Sequence, residues 1–397
     1  MKRVIATERI PIKMWLDEIE DTALEQARNL ANLPFAVRHI ALMPDCHSGY
    51  GMPIGGVLAT IKVIVPNAVG VDIGCGMLAV KTGMNDPEKS VIEDLIDIIK
   101  QRIPVGFNWH EKQVDNSNMP VSQKGEKIIL KEREKARYQL GTLGGGNHFI
   151  ELQSDEDGFI WIMIHSGSRN LGKQVADHYN KVAIEENKRW FSSVPPEHQL
   201  GFLSFDTMEA GDYWDEMQYC VAFAKANRAM MLELVKSVFE EVLGFDENDY
   251  ADVIDIAHNY AAWENHYGQN VIVHRKGATR AYAGEIGIIP GSQGTKSYIV
   301  RGLGDPESFM SCSHGAGRIM GRKQARRELD LEREIANLND KGIIHSIESV
   351  DDLDEAPSAY KNIDQVMENQ SDLIEIVHEL TPLAVIKGQG VKRWIKN

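Results

Sequence analysis

Seven short stretches of this chain combine small residues, mostly glycine, with side chains that can hold metals, protons or phosphates. They are 43–56 (MPDCHSGYGMPIGG), 68–76 (AVGVDIGCG), 141–151 (GTLGGGNHFIE), 164–169 (IHSGSR), 254–260 (IDIAHNY), 290–297 (PGSQGTKS) and 311–318 (SCSHGAGR). Glycine lets backbone approach a ligand closely and supplies turns that aim N–H groups at anions. So many such loops in one chain point to a single shared site. A metal centre is the sharpest reading: Asp72 and Cys75 offer a carboxylate and a thiolate on one turn, and His148 follows three glycines. His165 and His258 each end an apolar run, WIMIH and VIDIAH, where a strand would fix the backbone and aim the ring into a cleft. A thiolate can bridge two cations while neutral imidazoles complete their shells, and by itself this soft donor set suggests zinc. Taken singly, each histidine also fits a structural hydrogen-bonded role and Cys75 a small buried apolar one.

These loops need a scaffold. Helical periodicity falls at 15–33, 88–101, 216–243 (ending at Gly244) and 318–338, the last on the surface. Strand-like runs fall at 56–65, 158–164, 270–274 and 297–301. Stretches 102–128 and 348–358 read as surface insertions, Cys220 as core, and Cys312 as core or as a residue packed behind the site. His110, His178, His198, His345 and His378 lack glycine neighbours and read as surface residues. Strands and helices alternate without a linker, so the fold class is α/β (α+β mixed) in one large domain. His274-Arg275-Lys276 fits either a solvated turn or a phosphate clamp.

Composition narrows the class. The 397 residues are 43% hydrophobic, enough for a substantial core, and the net charge of −15 argues against non-specific coating of nucleic acid. Four scattered cysteines form no disulfide framework and fit a reducing cytoplasm. The N-terminus has no secretory h-region, and no run approaches the ~18 apolar residues of a membrane span. There is no P-loop, no complete G-x-G-x-x-G, no H-E-x-x-H and no C-x-x-C.

Jointly, DIGCG, GGGNHF, HSGSR, AHNYA and SCSHGAGR resemble the RtcB family of GTP-dependent RNA ligases. That family joins RNA 3′-phosphate or 2′,3′-cyclic phosphate ends to 5′-hydroxyl ends in RNA repair or tRNA splicing. The resemblance runs from PDCHSGYGMPIGG to AVIKG at 384–388. It implies that Asp72, Cys75, His148, His165 and His258 hold two Mn²⁺ ions, with Cys75 bridging. It makes His314 the nucleophile that takes GMP from GTP. The implied guanylate contacts are Asn147, His148, Phe149, Ile150, Glu151, His258, Asn259, Pro290, Gly291, Ser292, Gln293, Ser297, His314, Gly315, Ala316, Gly317 and Lys387. Among these, Glu151 and Lys387 are expected at the guanine.

Asp45 and His47 fit either turn stabilisation or activation of the 5′-hydroxyl. Arg169, Arg275, Lys276 and Arg318 are candidates for holding RNA phosphates. The implied domain spans 1–388, with central sheets flanked by helices and a short basic extension at 389–397 that could steer RNA or simply fray. Gly321 stands where the family usually has serine. A dinuclear metal phosphoesterase without nucleotide would use the same metal ligands but gives His314 and Lys387 no task. A non-catalytic RNA-binding scaffold would need neither.

Overall fold

A computed structural model describes residues 1–121 and 127–388. The 389–397 extension lies outside the described residues. Two sheets carry the architecture. The first orders its strands Arg3–Ile5, Ile12–Met14, Ala36–His47, Ile54–Thr60, Gln269–Lys276 and Asn259–His266. The second orders Ile254–Ala257, Gly76–Asn85, Phe159–Ser166, Phe149–Ser154, Ile374–Lys387, Ser297–Gly302 and Ile286–Ile289. Nearly every pairing is antiparallel; Ile12–Met14 runs parallel to Ala36–His47. The mixed α/β class expected from the sequence is what the chain adopts.

Alternation along the second sheet decides what each face meets. Ile150, Leu152, Ile160, Ile162 and Ile164 pack against helices Lys89–Arg102 and Met208–Leu243. The first of these helices presents Ile92, Leu95, Ile96 and Ile99, one buried stripe at helical spacing, with Glu93, Asp94 and Asp97 in solvent. The other face of the sheet, with Met77, Phe149, Trp161, Met163 and Val385, packs under Leu338, Ile343, Leu353 and Ala356. Because side chains alternate with period two, Cys75, His165, Glu151, His258 and Lys387 share the parity of this second face. The register aligns them: Met77 is opposite His165, His165 opposite Phe149, and Phe149 opposite Lys387. One row across the sheet end therefore carries candidate site residues.

The long helix starts at Met208, eight residues before the expected 216, because its first turns are polar and aromatic. It ends as expected at Gly244, whose φ of 72° is left-handed. The 15–33 helix is shorter, Asp21–Ala31, since Trp15 and Leu16 are buried ahead of it. The 318–338 helix is two, Arg322–Glu328 and Leu331–Asp340, the second capped by Asp330. The 56–65 strand breaks at Lys62 (φ 52°), and Val63–Ile64 pairs with Leu203–Ser204 instead. The surface reading of 348–358 is overturned: its short turns bury Leu353, Asp354, Glu355 and Ala356. Acidic composition misled there, because Asp354 and Glu355 are neutralised by arginines from elsewhere in the chain.

Candidate active site

At the end of the second sheet five potential ligands converge. Cys75 Sγ lies 3.3 Å from His165 Nε2 and 3.5 Å from His148 Nε2. His148 Nε2 is 3.0 Å from Asp72 Oδ2, and His165 Nε2 is 3.3 Å from His258 Nε2. Two triads result, Cys75–His165–His258 and Asp72–Cys75–His148, and either could hold a metal ion. They share Cys75.

The ring orientations are built in. His148 Nδ1 donates to the Leu143 carbonyl and His165 Nδ1 to the Asn147 carbonyl, each at 3.0 Å. That places the ring hydrogens on Nδ1 and turns the Nε2 lone pairs inward. Burial, then the charge of His148, holds His165 well below the usual histidine range. Burial, then His314 and His165, does the same for His258. Burial and the neighbouring Asp72 push the Cys75 thiol up. Burial works against the charge on Asp72, but its neighbours His148, Cys75 and Arg169 together outweigh it and the carboxyl ends below its ordinary range. Electron pairs facing one another at these distances repel unless a cation lies between them. The donor set fits a metal, and a cation would reverse the thiol's preference for its proton.

Glycine is required at the approach. A β-carbon on Gly76 would fall 2.0 Å from the Ile256 carbonyl oxygen, so only hydrogen lets the two strands carry Cys75 and His258 together. Sequence reasoning missed what holds these loops from beneath. Asn227, on the long helix, accepts from the Gly141 amide at 2.7 Å and donates to Ser166 Oγ at 3.0 Å. Arg228 pairs with Asp255 and donates to the carbonyls of Gly74 and Ser166. An Asn-Arg pair on a largely apolar helix face was the available signal.

Beside the ligands opens a cavity of about 450 Å³. Its walls include His47, Asn147, Phe149, Glu151, His165, Pro290–Gln293, His314–Arg318 and Lys387, bringing together five of the motif stretches. Tyr360, Arg322, Tyr50 and Glu20 also line it and were not anticipated. His314 stands between cavity and ligands, its ring centroid 4.7 Å from that of His258. Its Nδ1 is 2.5 Å from Asp45 Oδ2, which also accepts the His314 amide at 3.1 Å. Nδ1 so held leaves Nε2 as the free nitrogen. His47 Nδ1 donates to the Asp45 carbonyl at 2.9 Å, and burial lowers the ring to about 4.

At the far end, burial raises Glu151 to about 7 against the opposing charge of Lys387. Burial lowers Lys387, and Glu355 partly restores it. Glu355 lies 3.9 Å from Lys387, 2.8 Å from Arg322 and 3.3 Å from Arg318, and accepts the Tyr360 hydroxyl.

Other expected residues sit elsewhere. Ile150 is fully buried on the helix-facing side of its strand, because alternation turns it away from Glu151's face. Ser297 lies behind the cavity, its hydroxyl bonded to Gln153 and to the Gly291 amide. Asn259 braces the Asp72 carbonyl and the Gly277 amide. Arg169 is near the site, bonded to Thr142 Oγ1 and the Gly106 carbonyl. Arg275 and Lys276 form neither a solvated turn nor a phosphate clamp. They lie on a strand: buried Arg275 pairs with Glu264 at 3.0 Å, and Lys276 Nζ is held by the carbonyls of Tyr50, Met52 and Asn67. Cys220 and Cys312 are core, as expected, and the five histidines read as surface residues are partly exposed.

Fold and site together define a mixed α/β protein with a candidate metal centre beside a deep cavity, and comparison with known proteins narrows the class. The model for "tRNA-splicing ligase RtcB" matches residues 26–388, and the chain belongs to the RtcB family. It is 38% identical to the RNA-splicing ligase RtcB of Escherichia coli (strain K12), over 97% of this chain and 99% of that protein. It is 32% identical to the tRNA-splicing ligase RtcB of Thermococcus kodakarensis, over 96% and 95% of the two chains. The Archaeoglobus fulgidus protein of the same name is 33% identical, over 93% and 92%.

Proposed function

We propose that this chain is a GTP-dependent RNA ligase that joins a 3′-phosphate or 2′,3′-cyclic phosphate end to a 5′-hydroxyl end. Family membership supports the RNA-ligase class. The observation that carries the mechanism is the position of His314: locked by Asp45 at Nδ1, with Nε2 free between a nucleotide-sized cavity and the metal-ligand cluster.

His314 Nε2 attacks the α-phosphorus of GTP; a P–N bond forms, the P–O bond to the β-phosphate breaks, and pyrophosphate leaves. Asp45 offsets the positive charge the ring acquires. Guanine lies at the Glu151–Lys387 end, where the carboxylate accepts from N1–H and the amino group. An oxygen of the RNA 3′-phosphate then attacks phosphorus, the P–N bond breaks, and His314 returns to neutral imidazole. The 5′-hydroxyl attacks the activated 3′-phosphorus, a phosphodiester forms and GMP departs. His47, neutral and open at Nε2, is placed to receive the hydroxyl proton.

Asp72, Cys75, His148, His165 and His258 would hold two divalent cations, Mn²⁺ by family resemblance, and these would neutralise charge on the transferring phosphates. A cyclic phosphate is first hydrolysed: water adds to phosphorus, the P–O2′ bond breaks, and a 2′-hydroxyl and a 3′-phosphate result. Arg318 and Arg322, lining the cavity, would hold RNA phosphates, and the four scattered cysteines fit a reducing cytoplasm.

The test is incubation with α-³²P-GTP and Mn²⁺. An acid-labile labelled protein, absent in His314→Ala, is the expected result. No label with an intact fold and bound metal refutes the proposal and returns the site to a nucleotide-free phosphoesterase.

A further inference from the structure

The loop 104–110, PVGFNWH, leaves Phe107 84% and Trp109 44% exposed. The loop is firmly tied down. The Asn108 amide donates to the Val105 carbonyl at 3.2 Å, closing a tight turn with Gly106 at φ 66° and Phe107 at its corner. The Leu143 amide donates to Pro104, the Gly106 amide to Gly144 at 2.7 Å, and the His110 amide to Tyr138. His110 Nε2 is a further 3.1 Å from the Gly141 carbonyl. Arg169 reaches across to the Gly106 carbonyl at 3.2 Å.

This places the loop beside the reacting centre. A β-carbon on Gly144 would fall 1.9 Å from Arg169 and 2.8 Å from His148 Nδ1. A single peptide unit thus separates the aromatic turn from a metal-ligand histidine and a cation. Two large aromatic faces held in water on a pinned turn are preorganised for a flat ligand.

We propose that Phe107 and Trp109 form a stacking platform for unpaired nucleobases of the RNA strand whose end enters the metal centre. The inference rests on the RNA-ligase reading above. Every base has a π-face, so stacking holds a strand without selecting its sequence. That suits an enzyme joining ends of differing sequence. Arg169, beneath the turn, supplies the adjoining positive charge for the backbone.

The test measures binding of a fluorescein-labelled single-stranded RNA 12-mer ending in a 3′-phosphate, without GTP, by anisotropy. Phe107→Ala and Trp109→Ala should each weaken binding roughly 5- to 100-fold, the range of one base–aromatic stack. Phe107→Tyr should restore it to within about twofold, because the ring is what matters. The salt dependence should keep its slope, since no phosphate contact is lost. GMP labelling from GTP, which involves no RNA, should match the parent and verifies the fold. Binding by the double alanine variant within about twofold of the parent overturns the platform; so does a loss that tyrosine does not rescue, or a shallower salt slope. Self-association that depends on Phe107, with RNA affinity unchanged, assigns the patch to a second copy of this chain and also overturns it. If the parent takes no GMP, the ligase reading fails, while RNA binding still decides the platform.

Discussion

Replacing Asp45 by asparagine isolates the charge behind the proposed nucleophile. Asp45 is fully buried, and its Oδ2 contacts both the ring and the amide of His314. Asparagine can keep its oxygen in that seat, so the ring is held where it was. Its NH₂ then replaces Oδ1, which is buried without a partner, so the swap relieves an unpaired acceptor but creates an unpaired donor. The main loss is the negative charge.

Two unit charges about 4 Å apart at an effective dielectric near 20 interact by about 4 kcal/mol. The imidazole carries only part of a charge in the transition state, so roughly 3–4 kcal/mol is lost. The rate of GMP transfer to His314 should fall on the order of 10²- to 10³-fold. Single-turnover labelling with α-³²P-GTP measures this, with GTP affinity measured separately and expected to hold within a few-fold. A transfer rate within tenfold of the parent would show that Asp45 only positions the ring. Sealing of an RNA already carrying a 3′-pp-5′-guanosine end should be nearly normal, because His314 has no covalent task in that step.

The remaining predictions concern metal, base and charge. Cys75→Ala removes the ligand common to both triads, so bound Mn²⁺ measured by mass spectrometry should fall for both sites together while circular dichroism is unchanged. His314→Ala should be inactive with GTP and 3′-phosphate RNA yet seal the pre-activated end; failure there, with metal bound, would give His314 a further role. Glu151 is raised to about 7 by burial against the pull of Lys387, and guanine needs its ionised form. Below pH 7 the free protein must shed that proton to bind, so GTP affinity should drop about tenfold per pH unit below 7 and level off above, with proton release visible by calorimetry in two buffers. Glu355→Gln strips the carboxylate from among Arg318, Arg322 and Lys387 and should cost about 3 kcal/mol of stability, read from the urea midpoint.

The candidate site residues were legible because each needs a rare local arrangement. A thiolate between two glycines, a histidine ending an apolar strand and a histidine inside HGAGR leave their marks in a few consecutive positions. Composition was a poorer guide to burial. The 348–358 stretch looked solvated because acidic residues favour water, yet Glu355 is buried beneath cations contributed by residues 318, 322 and 387. The basic triplet 274–276 looked exposed for the same reason, yet Glu264 and three backbone carbonyls satisfy Arg275 and Lys276 within the fold.

By itself the sequence determined the strand that carries His165 and the alternation along it; the strands that carry Glu151 and Lys387, and the one that follows Cys75, were not read from it. Alternation with period two is a property of neighbouring residues and needs no partner. Which strands lie side by side was decided only in three dimensions. Antiparallel registry set His165 opposite Met77 and Phe149, and Lys387 opposite Phe149, across separations of up to 238 residues. The same assembly put Asp45 against His314 and set Asn227 and Arg228 of the long helix under the ligand loops. Those pairings join distant segments whose proximity depends on how the whole core packs, and no local pattern of residue types encodes that distance.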